Sequence, residues 1–296
     1  MKPVRHDVAV KLPLVLLAPL RLYFQVAARV APGAAAAAFR WLLSHMPRKR
    51  LSARDQQFLR GGRRIDLDCG DAVLAGYSFG AGPTVLLVHG LQGSAANFRA
   101  LAPALAAAGY RAVAFDAVNH GNSPSGVAFS RRSIDHVRCV LAHLGPLHAV
   151  VSHSAGAYLT MLALLAPPAG CRVDRCVYVA PYPDIATTLR TFTDYFRVPR
   201  TARVQVPLRR WFEDIGGLPF EQQSMRYCLP RHRTPQVPGC LFVHDADDRQ
   251  IALDCTRRTL AELEGARLHV TSGLGHFHVL KDGAVIAHII DFINRA

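Results

Sequence analysis

The sequence lacks an apolar run long enough to cross a bilayer. The longest run, residues 12–20, has nine residues and contains two prolines, whereas a membrane-spanning helix needs about 20 apolar residues. Arg21 follows this run directly, and no clear small-x-small cleavage site of a signal peptide comes after it. We therefore expect a cytoplasmic protein whose membrane contact, where it has one, is peripheral and at the inner membrane surface.

Motifs that bind metals, dinucleotides or nucleic acids are also missing. The chain has no H-E-x-x-H, no cysteine and histidine spacing of the zinc type and no G-x-G-x-x-G. It has no RNP-like segment and no basic region that runs into heptads. We therefore expect no metal, no other cofactor and no nucleic-acid partner.

The seven cysteines form no C-x-x-C pair, and their number is odd. Several lie in apolar runs, such as Cys176 in Cys-Val-Tyr-Val, where a cysteine acts as a small buried hydrophobe. The pattern indicates a reducing compartment, in which disulfides are rare. None of the cysteines stands in a recognisable catalytic setting.

Acidic residues are scarce at the N-terminus. Residues 1–64 contain 13 Lys and Arg against only Asp7 and Asp55, whereas the rest of the chain is nearly neutral. We interpret 1–64 as a basic, partly amphipathic helical arm. Such an arm packs on the protein itself, packs on a partner subunit or contacts anionic lipid headgroups. The sequence does not decide between these three arrangements, and it does not give the oligomeric state.

From residue 65 onward, short apolar runs alternate with segments of helix length. Residues 84–88, Thr-Val-Leu-Leu-Val, are typical of a strand covered on both faces. Residues 64–79 predict a pair of strands at a sheet edge, and further strands are predicted at 111–115, 148–151, 175–179, 240–244 and 267–271. The alternation predicts an α/β fold, with a mostly parallel central sheet and helices on both faces. It stops after the sixth strand, so we expect a helical cap or lid at 181–237 and a core formed by 65–180 and 238–296.

Ser154 is the candidate nucleophile. It stands between a predicted strand and a predicted helix, in Ser152-His153-Ser154-Ala155-Gly156. This is the setting of a nucleophile elbow, in which a tight turn exposes the serine, and we expect His153 and Gly156 to shape that turn. The usual pattern is G-x-S-x-G, and Ser152 replaces its first glycine. An ordinary strand-to-helix turn with a capping serine is the plainer alternative.

A glycine-containing loop, His89-Gly90-Leu91-Gln92-Gly93, ends the strand predicted at 84–88. Such a loop lets the backbone approach the serine, so the N–H groups of Leu91 and Ala155 are the candidate oxyanion hole. We expect His89 and Gly90 to brace and shape the loop. A plain strand-to-helix turn is again the alternative.

Two downstream segments supply an acid and a base. The strand predicted at 240–244 runs into a group of carboxylates that includes Asp247 and Asp248, and Gly-Leu-Gly precedes His276 after the last strand. A base needs an acid that orients it and a loop that returns it to the serine. We favour His276 over His278 as that base.

These four segments, in this order along the chain, resemble the α/β-hydrolase superfamily from about residue 73 to the end. The resemblance is to its serine hydrolases, in particular bacterial ones with an N-terminal extension. The segment 115–123 also resembles the superfamily's D-x-x-G-H-G-x-S loop, with Asn119 at the first glycine of G-H-G.

The resemblance assigns the acid and the base. In the superfamily, the acid stands four residues after the histidine of an H-G-x-x-D segment, which falls on Asp248. Asp245 then takes the place of the glycine. The base is the histidine of G-x-G-H, which falls on His276.

The resemblance implies a serine hydrolase that cleaves carboxylic esters or thioesters through an acyl-enzyme on Ser154. The aromatics and arginines of 181–237 favour an apolar pocket for a small ester or a lipid-like substrate. Two alternatives keep the same residues: a catalytically silent fold that binds a partner, and an acyltransferase. Ser152, Asn119 and Asp245 replace usual glycines and leave the substrate and the activity open.

Overall fold

The computed structural model describes residues 14–232, 234 and 239–295. The remaining parts of the predicted arm, insertion and core, namely 1–13, 233, 235–238 and 296, lie outside the described residues. The strands are β1 (Arg63–Asp68), β2 (Val73–Phe79), β3 (Thr84–Val88), β4 (Arg111–Phe115), β5 (Leu147–His153), β6 (Val173–Val179), β7 (Cys240–Asp245) and β8 (Arg267–Thr271). The helices are α1 (Leu14–Val30), α2 (Pro32–Ser44), α3 (Ala53–Arg60), α4 (Leu101–Ala107), α5 (Arg131–Leu144), α6 (Ala155–Ala163), α7 (Ile185–Phe196), α8 (Ala202–Gly216), α9 (Met225–Cys228), α10 (Leu253–Leu260), α11 (Gly275–His278) and α12 (Gly283–Asn294).

One eight-stranded sheet organises the described chain, in the order β1-β2-β4-β3-β5-β6-β7-β8. β2 is antiparallel to β1 and β4, and the remaining strand pairs are parallel. β3 is buried from Val85 to Val88, because helices cover the sheet on both sides. The α/β fold with a mostly parallel sheet, predicted from the sequence, is confirmed.

Helices form a layer on each face of this sheet. On one face, α4 and α12 bury Leu105 and Ile289 in a shared apolar cluster. On the other face, α5 and α6 bury Val137 and Met161. The helices can do this because their apolar residues recur every three or four positions, as in α5, whose buried residues are Ile134, His136, Val137, Val140 and Leu141.

The carboxyl ends of β3, β5, β7 and β8 lie at the same edge of the sheet, because these strands are parallel to one another. In open α/β sheets, ligands bind in the crevice outside this edge. The loops that follow these four strands carry the four segments singled out in the sequence. The topology therefore brings those segments together.

Helices α7, α8 and α9 lie between β6 and β7, where the sequence predicts an insertion. The buried side chain of Gln223 ties them to the core. Its amide nitrogen donates to the carbonyl oxygens of Phe212, at 2.9 Å, and Leu218, at 2.8 Å. Its Oε1 accepts the hydroxyl proton of Tyr158, on α6. The inserted helices are thus anchored to the helix that follows the candidate nucleophile.

Helices α1 and α2 pack against the inserted helices. The fully buried ring of Phe24, on α1, lies 6.2 Å from the rings of both Phe39, on α2, and Phe196, on α7. Nε of Arg21 donates to the carbonyl oxygen of Tyr195 at 2.9 Å. We call α1, α2, α7 and α8 the cap helices. None of the described helices has the length and apolar character that crossing a membrane requires.

Cys69 and Cys139 form a disulfide, so for this pair the expectation drawn from the cysteine pattern is wrong. Cys69 follows β1 and Cys139 lies on α5, and the packing of α5 on β1 brings their Cα atoms to 5.7 Å. The two cysteines are 70 residues apart in sequence. Their spacing therefore carries no local signal, and only the tertiary fold reveals the pair.

The disulfide predicts a thiol count. The chain has seven cysteines, of which five are free thiols. Protein purified without reductant and then denatured should present five thiols to a thiol reagent, and seven after reduction. The double variant Cys69→Ser, Cys139→Ser should present five under both conditions. Seven thiols in the unreduced wild type would contradict the bond.

Candidate active site

Ser154 occupies a sharp turn between β5 and α6, with φ of 55° and ψ of −123°. A non-glycine residue adopts this backbone only where the surrounding structure holds it. Two glycines allow the turn to approach β3. A β-carbon at Gly156 would lie 2.4 Å from the carbonyl oxygen of His89, and one at Gly90 would lie 2.9 Å from the Cβ of Ser154. The serine is thus pressed against the loop that follows β3.

His276 and Asp248 reach Ser154 from the loops after β8 and β7. Nε2 of His276 lies 2.9 Å from Oγ of Ser154, and its Nδ1 lies 2.7 Å from Oδ2 of Asp248. The three residues are at most 7% exposed. The structure therefore joins them in the order serine, histidine, acid, although His276 stands 122 residues from the serine in sequence.

The carboxylate of Asp248 is held in its charged form. Burial alone would raise its pKa, but hydrogen bonds from His244 and His276 and from the backbone of Ile251 outweigh burial and keep the pKa well below its ordinary value. A charged carboxylate accepts the proton on Nδ1 of His276. Nε2 then faces Ser154 as an acceptor, which is the tautomer that a general base requires.

Asp247 and His278, the other candidates for the acid and the base, take no part in these contacts. Oδ2 of Asp247 accepts the backbone N–H of Gly273 at 2.8 Å, so this carboxylate holds the loop after β8. His278 is exposed. Of the two acids that the residues alone left open, Asp248 is the one that contacts His276.

Leu91 and Ala155 border the same cleft as Ser154. Ala155 is the first residue of α6, and a helix leaves the N–H groups of its first turn without intrahelical partners. Within the described chain, no group accepts a hydrogen bond from the N–H of Leu91. Both donors are thus free to stabilise an anionic oxygen beside the serine.

Two neutral imidazoles hold the loop after β3. Nδ1 of His89 donates to the carbonyl oxygen of Gly90 at 2.7 Å, and its Nε2 accepts the N–H of Ala117 at 3.0 Å. Nε2 of His120 accepts the N–H of Gln92 at 3.0 Å. Burial lowers the pKa of His89 to about 4 and that of His120 to about 3. Both rings stay uncharged near neutral pH and keep their acceptor nitrogens.

His153 contacts His276, the candidate base. Its Nε2 donates to the carbonyl oxygen of His276 at 2.8 Å, and its ring lies 4.9 Å from the ring of His276. Burial lowers the pKa of His153 to about 3, so the ring is neutral. This histidine contacts the backbone of the base and does not contact the hydroxyl of the serine.

Two of the glycine replacements fit their positions. Asn119 has a φ of 63°, in the left-handed region that asparagine tolerates better than most residues. Its Nδ2 donates to the carbonyl oxygen of Met46 at 2.9 Å, which ties the loop to the segment after α2. Ser152 is fully buried within β5, where its side chain faces the carbonyl oxygen of Val177. Neither residue displaces the elbow.

The third replacement, Asp245, takes up a role that a glycine could not fill. One carboxylate oxygen accepts the hydroxyl of Thr271, at 2.7 Å, and the N–H of Leu274, at 3.1 Å. The other accepts the N–H of Gly275 at 2.9 Å. These bonds fix the loop that ends at His276. Sequence reasoning missed this role, because it treated the position only as a lost glycine.

An apolar cleft begins at Ser154. Its cavity is narrow in this structure, with a volume of about 30 Å³, well below the about 300 to 1,000 Å³ that is usual for ligand sites. Leu43 belongs to α2, so the N-terminal arm supplies part of the wall, which the sequence did not reveal. The described residues hold no group of three or more His, Cys, Asp or Glu that could bind a metal ion. The other lining residues are Leu91, Phe129, Ala155, Tyr158, Tyr182, Thr188, Phe192 and Phe212.

The contacts of Asp245 predict that it positions the base. Asp245→Asn should slow the labelling of Ser154 by a fluorophosphonate about 10- to 100-fold, because small displacements of a reacting group cost rates of this order. The measurement is the labelling rate at several probe concentrations. The same substitution at the exposed Asp66 should leave the rate unchanged. Equal rates for Asp245→Asn and the wild type would contradict the role.

Known proteins resemble this chain in sequence. Residues 85–289 match the Alpha/beta hydrolase family. The sn-1-specific diacylglycerol lipase ABHD11 of Danio rerio is 28% identical over 156 residues, which are 49% of this chain and 48% of that protein. The chain thus spans about half the length of this curated relative.

Solved structures share the architecture. An esterase of Pyrococcus furiosus superposes with a TM-score of 0.64 at 16% identity, over 85% of this chain and 97% of that one. The meta-cleavage product hydrolase CumD of Pseudomonas fluorescens IP01 gives a TM-score of 0.58 at 21% identity, over 80% of this chain and 98% of that one. At such identities the likeness establishes the fold alone. The family match covers more than half of the residues, and the chain belongs to the alpha/beta hydrolase family.

Proposed function

We propose that the chain is a serine hydrolase that cleaves carboxylic esters, thioesters included, through an acyl-enzyme on Ser154. The observation that carries the proposal is the buried relay from Ser154 Oγ through His276 to Asp248, at the inner end of an apolar cleft. The similarity to a diacylglycerol lipase and the likeness to an esterase support it.

The first half of the reaction forms the acyl-enzyme. Nε2 of His276 takes the proton of Ser154 Oγ while the oxygen attacks the acyl carbon. The carbonyl oxygen becomes an oxyanion and accepts hydrogen bonds from the N–H groups of Leu91 and Ala155. Asp248 stabilises the imidazolium that results. His276 then gives the proton to the leaving alcohol or thiol, and the tetrahedral intermediate collapses to the ester of Ser154.

The second half repeats these steps with water. His276 takes a proton from a water molecule, whose oxygen attacks the acyl carbon, and the same backbone N–H groups hold the second oxyanion. The proton returns to Ser154 Oγ as the carboxylic acid leaves. The reaction therefore needs access for water on the side of His276 and room for the acyl chain in the cleft.

The walls of the cleft favour an apolar acyl group. Leu43, Phe192 and Phe212 come from three cap helices, and each is nearly or fully buried in this structure. Aliphatic and aromatic walls make the binding of an apolar substrate favourable, because binding removes apolar surface from water. The cap helices would therefore act as the lid that selects the acyl chain, which makes medium-length and lipid-like esters the favoured substrates.

Labelling by a fluorophosphonate tests the nucleophile. The wild type should be labelled and should hydrolyse p-nitrophenyl esters, because His276 activates Ser154. Ser154→Ala should lose both properties, and Ser152→Ala, two residues earlier in β5, should keep both. Circular dichroism establishes that the variants are folded. A folded wild type that is neither labelled nor active would overturn the proposal in favour of a catalytically silent binding protein.

The position of Leu43 predicts how acyl length is selected. Leu43→Trp should fill part of the cleft and lower kcat/KM for dodecanoyl esters at least about tenfold. A mismatch of a single methylene in an apolar pocket already changes kcat/KM by about this factor. Acetyl esters should change less than about threefold. Kinetics across p-nitrophenyl esters of increasing length measure this. The matched control, Ala37→Trp, adds the same ring on the exposed side of α2. A uniform loss at all lengths would contradict the assignment.

A further inference from the structure

Helix α1 is apolar on the side that faces away from the protein. Val15, Leu22, Val26 and Val30 are 77%, 66%, 52% and 77% exposed. They follow one another at spacings of seven, four and four residues, so they share one face of the helix. We call these four residues the outer face of α1. Phe24 lies on the opposite side and is fully buried. Helix α1 therefore has apolar surface on both sides, and within the described chain only the side with Phe24 is packed against other elements.

The chain segment that carries this face is positively charged. Residues 14–54 contain seven Arg and Lys and no Asp or Glu. Arg29 is exposed and borders the outer face of α1, one position before Val30. Within the described chain, neither Arg29 nor Arg40 forms an ion pair with a carboxylate. The apolar face is thus joined to positive charge that no carboxylate of the described chain pairs with.

We propose that the outer face of α1 docks the protein onto a bilayer that contains anionic phospholipids. Helices that lie in the plane of a membrane surface combine an apolar face with Lys and Arg in this way. The valine and leucine side chains would enter the acyl boundary, and Arg29 would meet the lipid phosphates. Since no described helix can span a bilayer, the contact is with one leaflet.

A second copy of the chain is the other occupant that this face could accept. A dimer through α1 would bring two copies of residues 14–54 together, each with seven Arg and Lys and no carboxylate to offset them. Like charges that face each other oppose association. Anionic headgroups satisfy both the apolar and the charged part of the surface, which is why we assign the surface to lipid.

Docking through α1 would place the cleft near the membrane. Phe24 of α1 contacts Phe39 of α2 and Phe196 of α7, and the same two helices supply Leu43 and Phe192 to the cleft. A lipid-like ester could then move from the bilayer to Ser154 over a short distance. This last step rests on the proposed function, whereas docking itself requires no catalysis.

Flotation of the full chain with vesicles tests the docking. We expect binding to vesicles of phosphatidylcholine and phosphatidylglycerol. The affinity should fall at least tenfold when the anionic phosphatidylglycerol is left out. It should fall as much when 0.5 M NaCl is added, because salt screens the charged part of the contact. The triple variant Leu22→Gln, Val26→Gln, Val30→Gln should lower the affinity at least tenfold. All three side chains are exposed, so the melting temperature should stay close to that of the wild type.

The matched control carries three glutamine substitutions at exposed valines outside α1. Val73, Val127 and Val270 are 45%, 41% and 40% exposed, and the variant with glutamine at these positions should bind as the wild type does. The single variant Val26→Gln, with an expected loss of about threefold, keeps the test decisive if the triple variant misfolds. Ser154→Ala should bind vesicles fully, which separates docking from catalysis.

Three results would overturn the proposal. The first is a folded wild type that does not float with anionic vesicles. The second is a triple variant that binds as well as the wild type. The third is a wild type that sediments as a dimer and a triple variant that sediments as a monomer but binds vesicles as the wild type does. That result would assign the outer face of α1 to a second copy of the chain.

Discussion

The hydrogen bond between Nδ1 of His276 and Asp248 is the interaction on which the rest of the site depends. It joins the loops after β7 and β8, and it leaves Nε2 free to accept the proton of Ser154. Both partners are buried, so the bond is screened little by water. Without a charged partner on Nδ1, the imidazole could adopt the other tautomer and would donate towards the serine instead of accepting from it.

The sheet and its loops serve to keep this bond in place. Asp245 fixes the loop before His276, His153 holds the backbone of His276, and His89 holds the loop that would supply one oxyanion donor. Each of these groups binds backbone atoms, and backbone contacts position a loop without depending on side chains of the loop itself. The close approach at Gly156 then sets the distance between the elbow and the end of β3.

The sequence predicts much of the fold because the relevant signals are local. The predicted strands 84–88, 111–115 and 267–271 coincide with β3, β4 and β8. Short apolar runs and helical periodicity are visible within a few residues. What the sequence did not show depends on long-range contacts. The disulfide, the wall position of Leu43 and the loop contacts of Asp245 all join segments that are distant in the chain.

The central claim is that Ser154 carries the acyl group during turnover. The most direct measurement is intact-protein mass spectrometry of the enzyme quenched in acid during hydrolysis of a p-nitrophenyl ester, followed by peptide mapping. The account predicts an added mass equal to the acyl group, located on the peptide that contains Ser154 and missing in Ser154→Ala. An active protein whose adduct persists in Ser154→Ala, or lies on another residue, would contradict it.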